Sequence, residues 1–180
     1  MIYIRKKKIM KKITLILTIL LSVIFSKDAS AQGTLVDVAS GNKDFSTLVT
    51  ALKAADLVAA LQGDGPFTVF APTNDAFAKI DAATLNSLLE EKNQTVLANI
   101  LTYHVISGKL TATDVVGALE KGNGLVELKA LNGQVISVMQ KDWKIWLKDS
   151  NENYSEIIAT DVMGTNGVIH VIDSVVMPKK

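Results

Sequence analysis

Apolar residues recur in two rhythms along this chain, one suited to helices and one to strands. In the first half the helical rhythm dominates. Leu35, Val36, Val38 and Ala39 follow Thr34, a capping residue, and stop at Gly41-Asn42. Phe45, Leu48, Val49 and Leu52 follow i, i+3, i+4, i+7 spacing and make one apolar face. Asp56 is read as the cap of a short helical turn through Leu57, Val58 and Leu61, and Gly63-Asp64-Gly65-Pro66 breaks the chain. Phe67–Phe70 is a short β run. Thr73-Asn74-Asp75 then starts a helix over 76–80. Asp81 caps another helix with Leu85, Leu88 and Leu89 inward. Asn93 starts a third, with Val96, Leu97, Ile100 and Leu101 as its stripe.

The second half turns to strands. Val105-Ile106 is brief, and 113–116 reads as one turn of helix. Residues 125–131 and 134–139 flank Asn132-Gly133, the favoured two-residue hairpin turn. In 143–148 Trp143, Ile145 and Leu147 alternate with Lys144, Trp146 and Lys148. Strands over 155–163 and 168–177 follow, joined through Gly164-Thr165-Asn166-Gly167. Val168-Ile169-His170-Val171-Ile172 is apolar on both faces, as a buried central strand is. Helices first and strands later predict an α+β fold rather than alternating βαβ units.

The beginning of the chain is of another kind. Arg5, Lys6, Lys7, Lys8, Lys11 and Lys12 precede a 13-residue apolar run from Ile13 to Phe25, and Ala29-Ser30-Ala31 follows. A basic stretch, a short apolar stretch and an A-x-A site read as a signal peptide over 1–31, of bacterial type. The apolar run falls short of the roughly 20 residues a spanning helix needs. Membrane attachment is expected only through this segment if it stays uncleaved. The chain has no cysteine, which excludes both disulfides and a lipidated N-terminal cysteine. Residues 32–180 carry 12 basic against 17 acidic side chains, a net charge of −5. Such a domain lacks the clustered Lys and Arg that nucleic acid demands.

Two segments are more specific than composition. Phe67-Thr68-Val69-Phe70-Ala71-Pro72-Thr73-Asn74-Asp75-Ala76-Phe77 resembles the first signature of fasciclin (FAS1) domains. Asn166-Gly167-Val168-Ile169-His170-Val171-Ile172-Asp173, with Val176-Met177-Pro178 after it, resembles the second. Tyr103-His104 between them resembles the family's Tyr-His motif, and order and spacing agree. The resemblance implies a β-sandwich or wedge with helices packed over one side, spanning 32–180. It also implies an extracellular adhesion or matrix role. In animal members an Asp-Ile pair is implicated in integrin-type adhesion, as is the Tyr-His region. Asp161-Val162 and Tyr103-His104 match those positions here. The resemblance further implies a structural hydrogen bond from His104 to the Thr73-Asn74-Asp75 turn.

Each candidate residue also has a plainer reading. Thr73, Asn74 and Asp75 suit helix capping before they suit a contact surface. Asp161 can cap a turn while Val162 packs in the core. His104 as a general base needs a nucleophile, an electrophile site or a metal beside it, and no G-x-S-x-G, H-E-x-x-H or cysteine supplies one. His170 is the second of two histidines, and their spacing fits no local zinc pattern. Of the two tryptophans, Trp146 shares a face with Lys144 and Lys148, so it is the expected exposed anchor for a sugar or protein.

These readings predict a non-enzyme that needs no cofactor or metal. It is expected to be secreted, periplasmic or held at the cell surface. Its expected role is binding protein or glycan in adhesion, matrix or biofilm contacts, with room for self-association. Carriage of a small apolar ligand, a pigment or lipid, is the alternative.

Overall fold

The computed structural model describes residues 33–179. The expected signal peptide over 1–31 lies outside the described residues. The elements run α1 (Leu35–Gly41), α2 (Ser46–Ala54), α3 (Val58–Leu61), β1 (Phe67–Pro72), α4 (Asn74–Ala78), α5 (Ala82–Leu88) and α6 (Gln94–Tyr103). They continue with β2 (Val105–Ser107), α7 (Ala112–Lys121), β3 (Leu125–Lys129), β4 (Val135–Lys141), β5 (Lys144–Lys148), β6 (Tyr154–Gly164) and β7 (Gly167–Ile172). Single 3-10 turns at Lys43–Phe45 and Glu91–Asn93 lead into α2 and α6.

The strands form one sheet in the order β2-β1-β7-β6-β5-β4-β3, parallel only between β1 and β7. This is an α+β fold, with a single rolled sheet rather than two separate facing ones. The ends of the sheet meet: Ile106 bridges Ala130, and Leu131 N–H donates to Val105 C=O at 2.8 Å. The long strand β6 makes the bend. Its pairing with β7 slips between Ile157 and Ala159 and again before Val162. Bulges of this kind let a strand turn a corner and re-aim its side chains.

Alternation along β1 and β7 divides the interior in two. Val69, Ala71, Ile169 and Val171 point at the helical layer and meet Leu35, Leu48, Leu52, Leu97 and Leu101. Phe70 and Ile172 point into the roll, against Ile136, Val138, Leu147 and Tyr103. β7 is buried along its whole length between β1 and β6, as its two-faced apolar run predicts.

Gly167 marks how tightly β7 sits. A Cβ there would stand 2.0 Å from Phe67 C=O, in the strand it pairs with. That carbonyl cannot retreat without breaking the β1–β7 register. Gly167→Ala is expected to cost about 2 kcal/mol or more. Urea unfolding would show a lower midpoint at unchanged m-value.

Four local expectations differ from the structure. Asp56 does not cap α3. It takes φ 56 at the end of α2, where Leu57 N–H donates to Leu52 C=O, so it fills the left-handed closing position of the preceding helix. The single turn expected over 113–116 is the ten-residue α7, because Thr111 and Asp114 form a reciprocal capping box that starts it. The expected strand over 168–177 ends at Ile172. The two-residue turn is in the other hairpin. Lys141 pairs with Lys144, and Asp142 and Trp143 between them have φ 53 and 63. The Asn132-Gly133 connection is longer, closed by Ala130 N–H on Gln134 C=O, with Gly133 in the left-handed position.

Candidate functional site

The residues singled out in sequence fall into a buried set and a surface set. Tyr103 and His104 end α6 and belong to the buried set. The Tyr103 hydroxyl donates to Val135 C=O at 2.8 Å and accepts from Ser150 N–H at 3.1 Å. Burial pushes the phenol's pKa up, so it stays un-ionised. His104 Nδ1–H donates to Ile100 C=O at 2.8 Å, and its Nε2 accepts from Val176 N–H at 3.2 Å. These two bonds fix a neutral tautomer protonated at Nδ1. Burial lowers the His104 pKa to about 4.

His104 therefore does not bond to the Thr73-Asn74-Asp75 turn. It faces the C-terminal segment instead, because it lies one residue past the end of α6 with Val176 packed against it. The turn is self-sufficient. Thr73 Oγ1 caps α4 by accepting from Ala76 N–H. Asn74 accepts from Thr47 N–H and donates to Lys43 C=O, tying the start of α2 down. Asp75 is exposed.

His170 holds the other face of β7. Its Nε2–H donates to Leu110 C=O at 2.8 Å, and its ring lies 5.9 Å from that of Phe70. Asp161 N–H approaches His170 Nδ1 at 3.5 Å, and Asp161 Oδ1 accepts from Ala112 N–H at 2.9 Å. Asp161 thus caps α7 from across the sheet. It stands in the β6 bulge at φ 59, a conformation Asp tolerates better than most residues. Val162 is half-buried against the helical-side core. Just before them Ile158, Ala159 and Thr160 are exposed, Ile158 at 52%. Asp161→Ala is expected to cost about 1 kcal/mol by loss of the cap. Asp161→Asn, which keeps an acceptor, should stay closer to wild type in thermal unfolding.

The tryptophans exchange roles relative to expectation. Trp146 is half-buried, and its indole N–H has no hydrogen-bond partner among the described residues. Trp143 is 96% exposed. The reason is where the strand starts: β5 begins at Lys144, so Trp143 belongs to the turn and not to the alternation.

A cleft of about 1450 Å³, missed in sequence, opens between α5, α6 and the C-terminal segment. Leu88, Val96, Ile100, Met177 and Pro178 give it a mostly apolar lining, and Asn93, Asn99, Asn151 and Asn153 rim it. The buried motif residues do not line it but hold the neighbours of residues that do. Tyr103 pins Ser150, and His104 pins Val176. Asp149 accepts from Asn151, Asn153 and Met177 N–H. The run Asp149-x-Asn151-x-Asn153 has the alternation of a cation loop, but backbone amides already fill the Asp149 carboxylate, and the intervening Glu152 pairs with Lys148. Among the described residues no group of three or more His, Asp and Glu side chains could hold a metal ion. No described helix is long and apolar enough to cross a membrane.

A rolled mixed sheet, a helical layer on one face and a Tyr-His pair pinning the chain's end define a class of fold. A solved structure has a similar fold: a FAS1 domain pair from the insect cell adhesion molecule Fasciclin I. It superposes with TM-score 0.69 at 21% identity, over 79% of this chain and 50% of that one. The fasciclin domain model matches residues 43–178, and the chain belongs to that family. Protein sll1483 of Synechocystis is 50% identical over 158 residues, 87% of this chain and 81% of the relative. Immunogenic protein MPB70 of Mycobacterium bovis is 33% identical, over 83% of this chain and 74% of its own. Transforming growth factor-beta-induced protein ig-h3 of Sus scrofa is 38% identical over 82% of this chain, which spans only 20% of that longer protein.

Proposed function

We propose that this protein is an exported, non-catalytic binding module for adhesion, matrix or biofilm contacts, and that it meets a protein or glycan partner through the bulge of β6. The bulge carries the reading. It puts Ile158, Ala159 and Thr160 in solvent and presents Asp161 beside them in a strained conformation. An exposed β-branched side chain beside a carboxylate fits a mixed apolar and polar contact. Kinship with a cell adhesion molecule supports the role. The histidines support the non-catalytic part, since both ring nitrogens of each are engaged with the backbone. The N-terminal segment's basic, apolar and A-x-A order supports export.

The test is retention from host envelope and medium extracts on the immobilised exported protein. Wild type should retain a component that Ile158→Glu, folded by circular dichroism, does not. Equal retention by both would remove the bulge from the contact.

The cleft favours a second reading, carriage of a small apolar ligand. Its mostly apolar lining and amide rim suit a neutral molecule. Organic extraction of the purified protein followed by mass spectrometry would reveal a stoichiometric apolar compound if this reading holds.

A further inference from the structure

Trp143 is hard to explain as part of the fold alone. It occupies a two-residue hairpin turn in which both positions need positive φ, and Gly or Asn fills such a position without strain. Trp there is strained, and its indole is left 96% in water. Neither the core nor the turn gains from it. Lys141 and Asp142 beside it make no ion pair among the described residues.

The cleft is its counterpart. It is mostly apolar, open and unfilled by the described side chains, and Val96 on its wall is 51% exposed. Its volume takes the whole turn at Lys141–Lys144, not just one ring. Among the described residues the single charged side chain lining it is Lys179, which also makes no ion pair there. It complements Asp142. The anchor and the receptacle stand at opposite ends of one strand. β5 begins at the turn and runs into the Asp149–Asn153 loop, whose Asn151 and Asn153 line the cleft. The five residues of β5 span roughly 16 Å, so the turn cannot reach its own cleft.

We propose that Trp143 of one copy seats in the cleft of a second copy, with Asp142 approaching Lys179. Such a contact joins two different surfaces and leaves one of each free at the ends. It therefore builds an open head-to-tail row and not a closed pair. A row repeats the binding sites of one domain along its length. This assembly does not depend on the β6 bulge as the partner surface, since the bulge lies outside both halves of the contact.

The test is sedimentation velocity on the exported protein over a wide concentration range. Wild type should grow in mass with concentration without stopping at a dimer. Trp143→Gly places the favoured residue in the turn, so it should keep or raise thermal stability while weakening association at least about thirtyfold. Val96→Glu should do the same from the cleft side. The two variants mixed at equal concentration should form a one-to-one dimer and nothing larger, because each keeps the half the other lacks. The proposal is overturned if wild type stays monomeric, if either variant assembles as wild type does, or if the mixture fails to pair. A small apolar molecule filling the cleft at full occupancy would overturn it as well. Retention of an extract component at the β6 bulge is read separately, so either idea can fail without the other.

Discussion

Replacing Asn166 with alanine is expected to destabilise the protein by about 3–4 kcal/mol, the largest effect of any single substitution considered. Asn166 precedes β7 in the tight connection from β6 and is buried. Its Oδ1 accepts from Leu35 N–H at 2.9 Å. Its Nδ2 donates to Leu61 C=O and Gly63 C=O, both at 2.8 Å. One side chain therefore satisfies the start of α1 and the end of α3, more than 100 residues away in sequence. Alanine would leave these groups without partners, and each such buried group costs about 1–3 kcal/mol. Asn166→Asp keeps the acceptor and loses both donors, so it should lose most of the same stability. Urea unfolding of both variants checks this. A loss under about 1 kcal/mol for Asn166→Ala would mean water replaces the amide at little cost.

Acid should unfold the protein through His104 before the carboxylates act. The ring is neutral when folded, with a pKa of about 4 against 6.5 for a free imidazole, because burial disfavours the charged form. Between pH 6.5 and 4 the unfolded chain takes up a proton that the folded chain refuses. The contribution is therefore fully present above pH 6.5 and is lost as pH falls toward 4. The slope approaches 1.4 kcal/mol per pH unit and the total is on the order of 3 kcal/mol. Protonation would also end the acceptance from Val176 N–H, releasing the C-terminal segment that walls the cleft. His104→Gln should be less stable at pH 7 and should lack most of this slope. Unfolding free energies at several pH values from 7.5 to 4.5 for both proteins would show it.

Much of the fold was legible because it rests on local spacing. The stripes of α2 and α6, the Thr73 cap and the two-faced run of β7 all follow from residues within one or two turns of each other. Local spacing is not enough where a distant contact or strand pairing decides. Asp56 could cap forwards or close the helix behind it, and only the path into α3 chooses. Asn-Gly is the better two-residue turn in isolation, yet the last β3–β4 pair is Lys129 with Val135, which lengthens that connection, and the two-residue turn is Asp142-Trp143 in the next hairpin. The alternation of β5 is as expected, with Leu147 inward, but the strand begins at Lys144, so Trp143 falls in the turn and is the exposed tryptophan.

The candidate site was less legible for the same reason. Tyr103, His104 and His170 stand out as chemistry-bearing residues, but sequence does not say that backbone groups at Ile100, Leu110, Val135 and Val176 use them up. Asn166 lay inside a recognisable signature without showing that it bridges two helices. The Asp149–Asn153 run carried a usable signal, since alternating Asp and Asn side chains favour turns that bind their own amides. The cleft has no sequence signal at all, because its walls come from four separate stretches of chain.

If partners meet the surface bulge of β6 and the Tyr-His pair is structural, substitutions at the two places should act oppositely on retention and stability. The most direct measurement compares retention of the host component by wild type, Ile158→Glu and Tyr103→Phe at a temperature where all three are folded. Tyr103→Phe removes the hydroxyl between Val135 and Ser150, so it should lower stability by about 1–2 kcal/mol and leave retention intact. Ile158→Glu should leave stability within about 0.5 kcal/mol and abolish retention. The reverse pattern, with retention lost in Tyr103→Phe and kept in Ile158→Glu, would contradict the account.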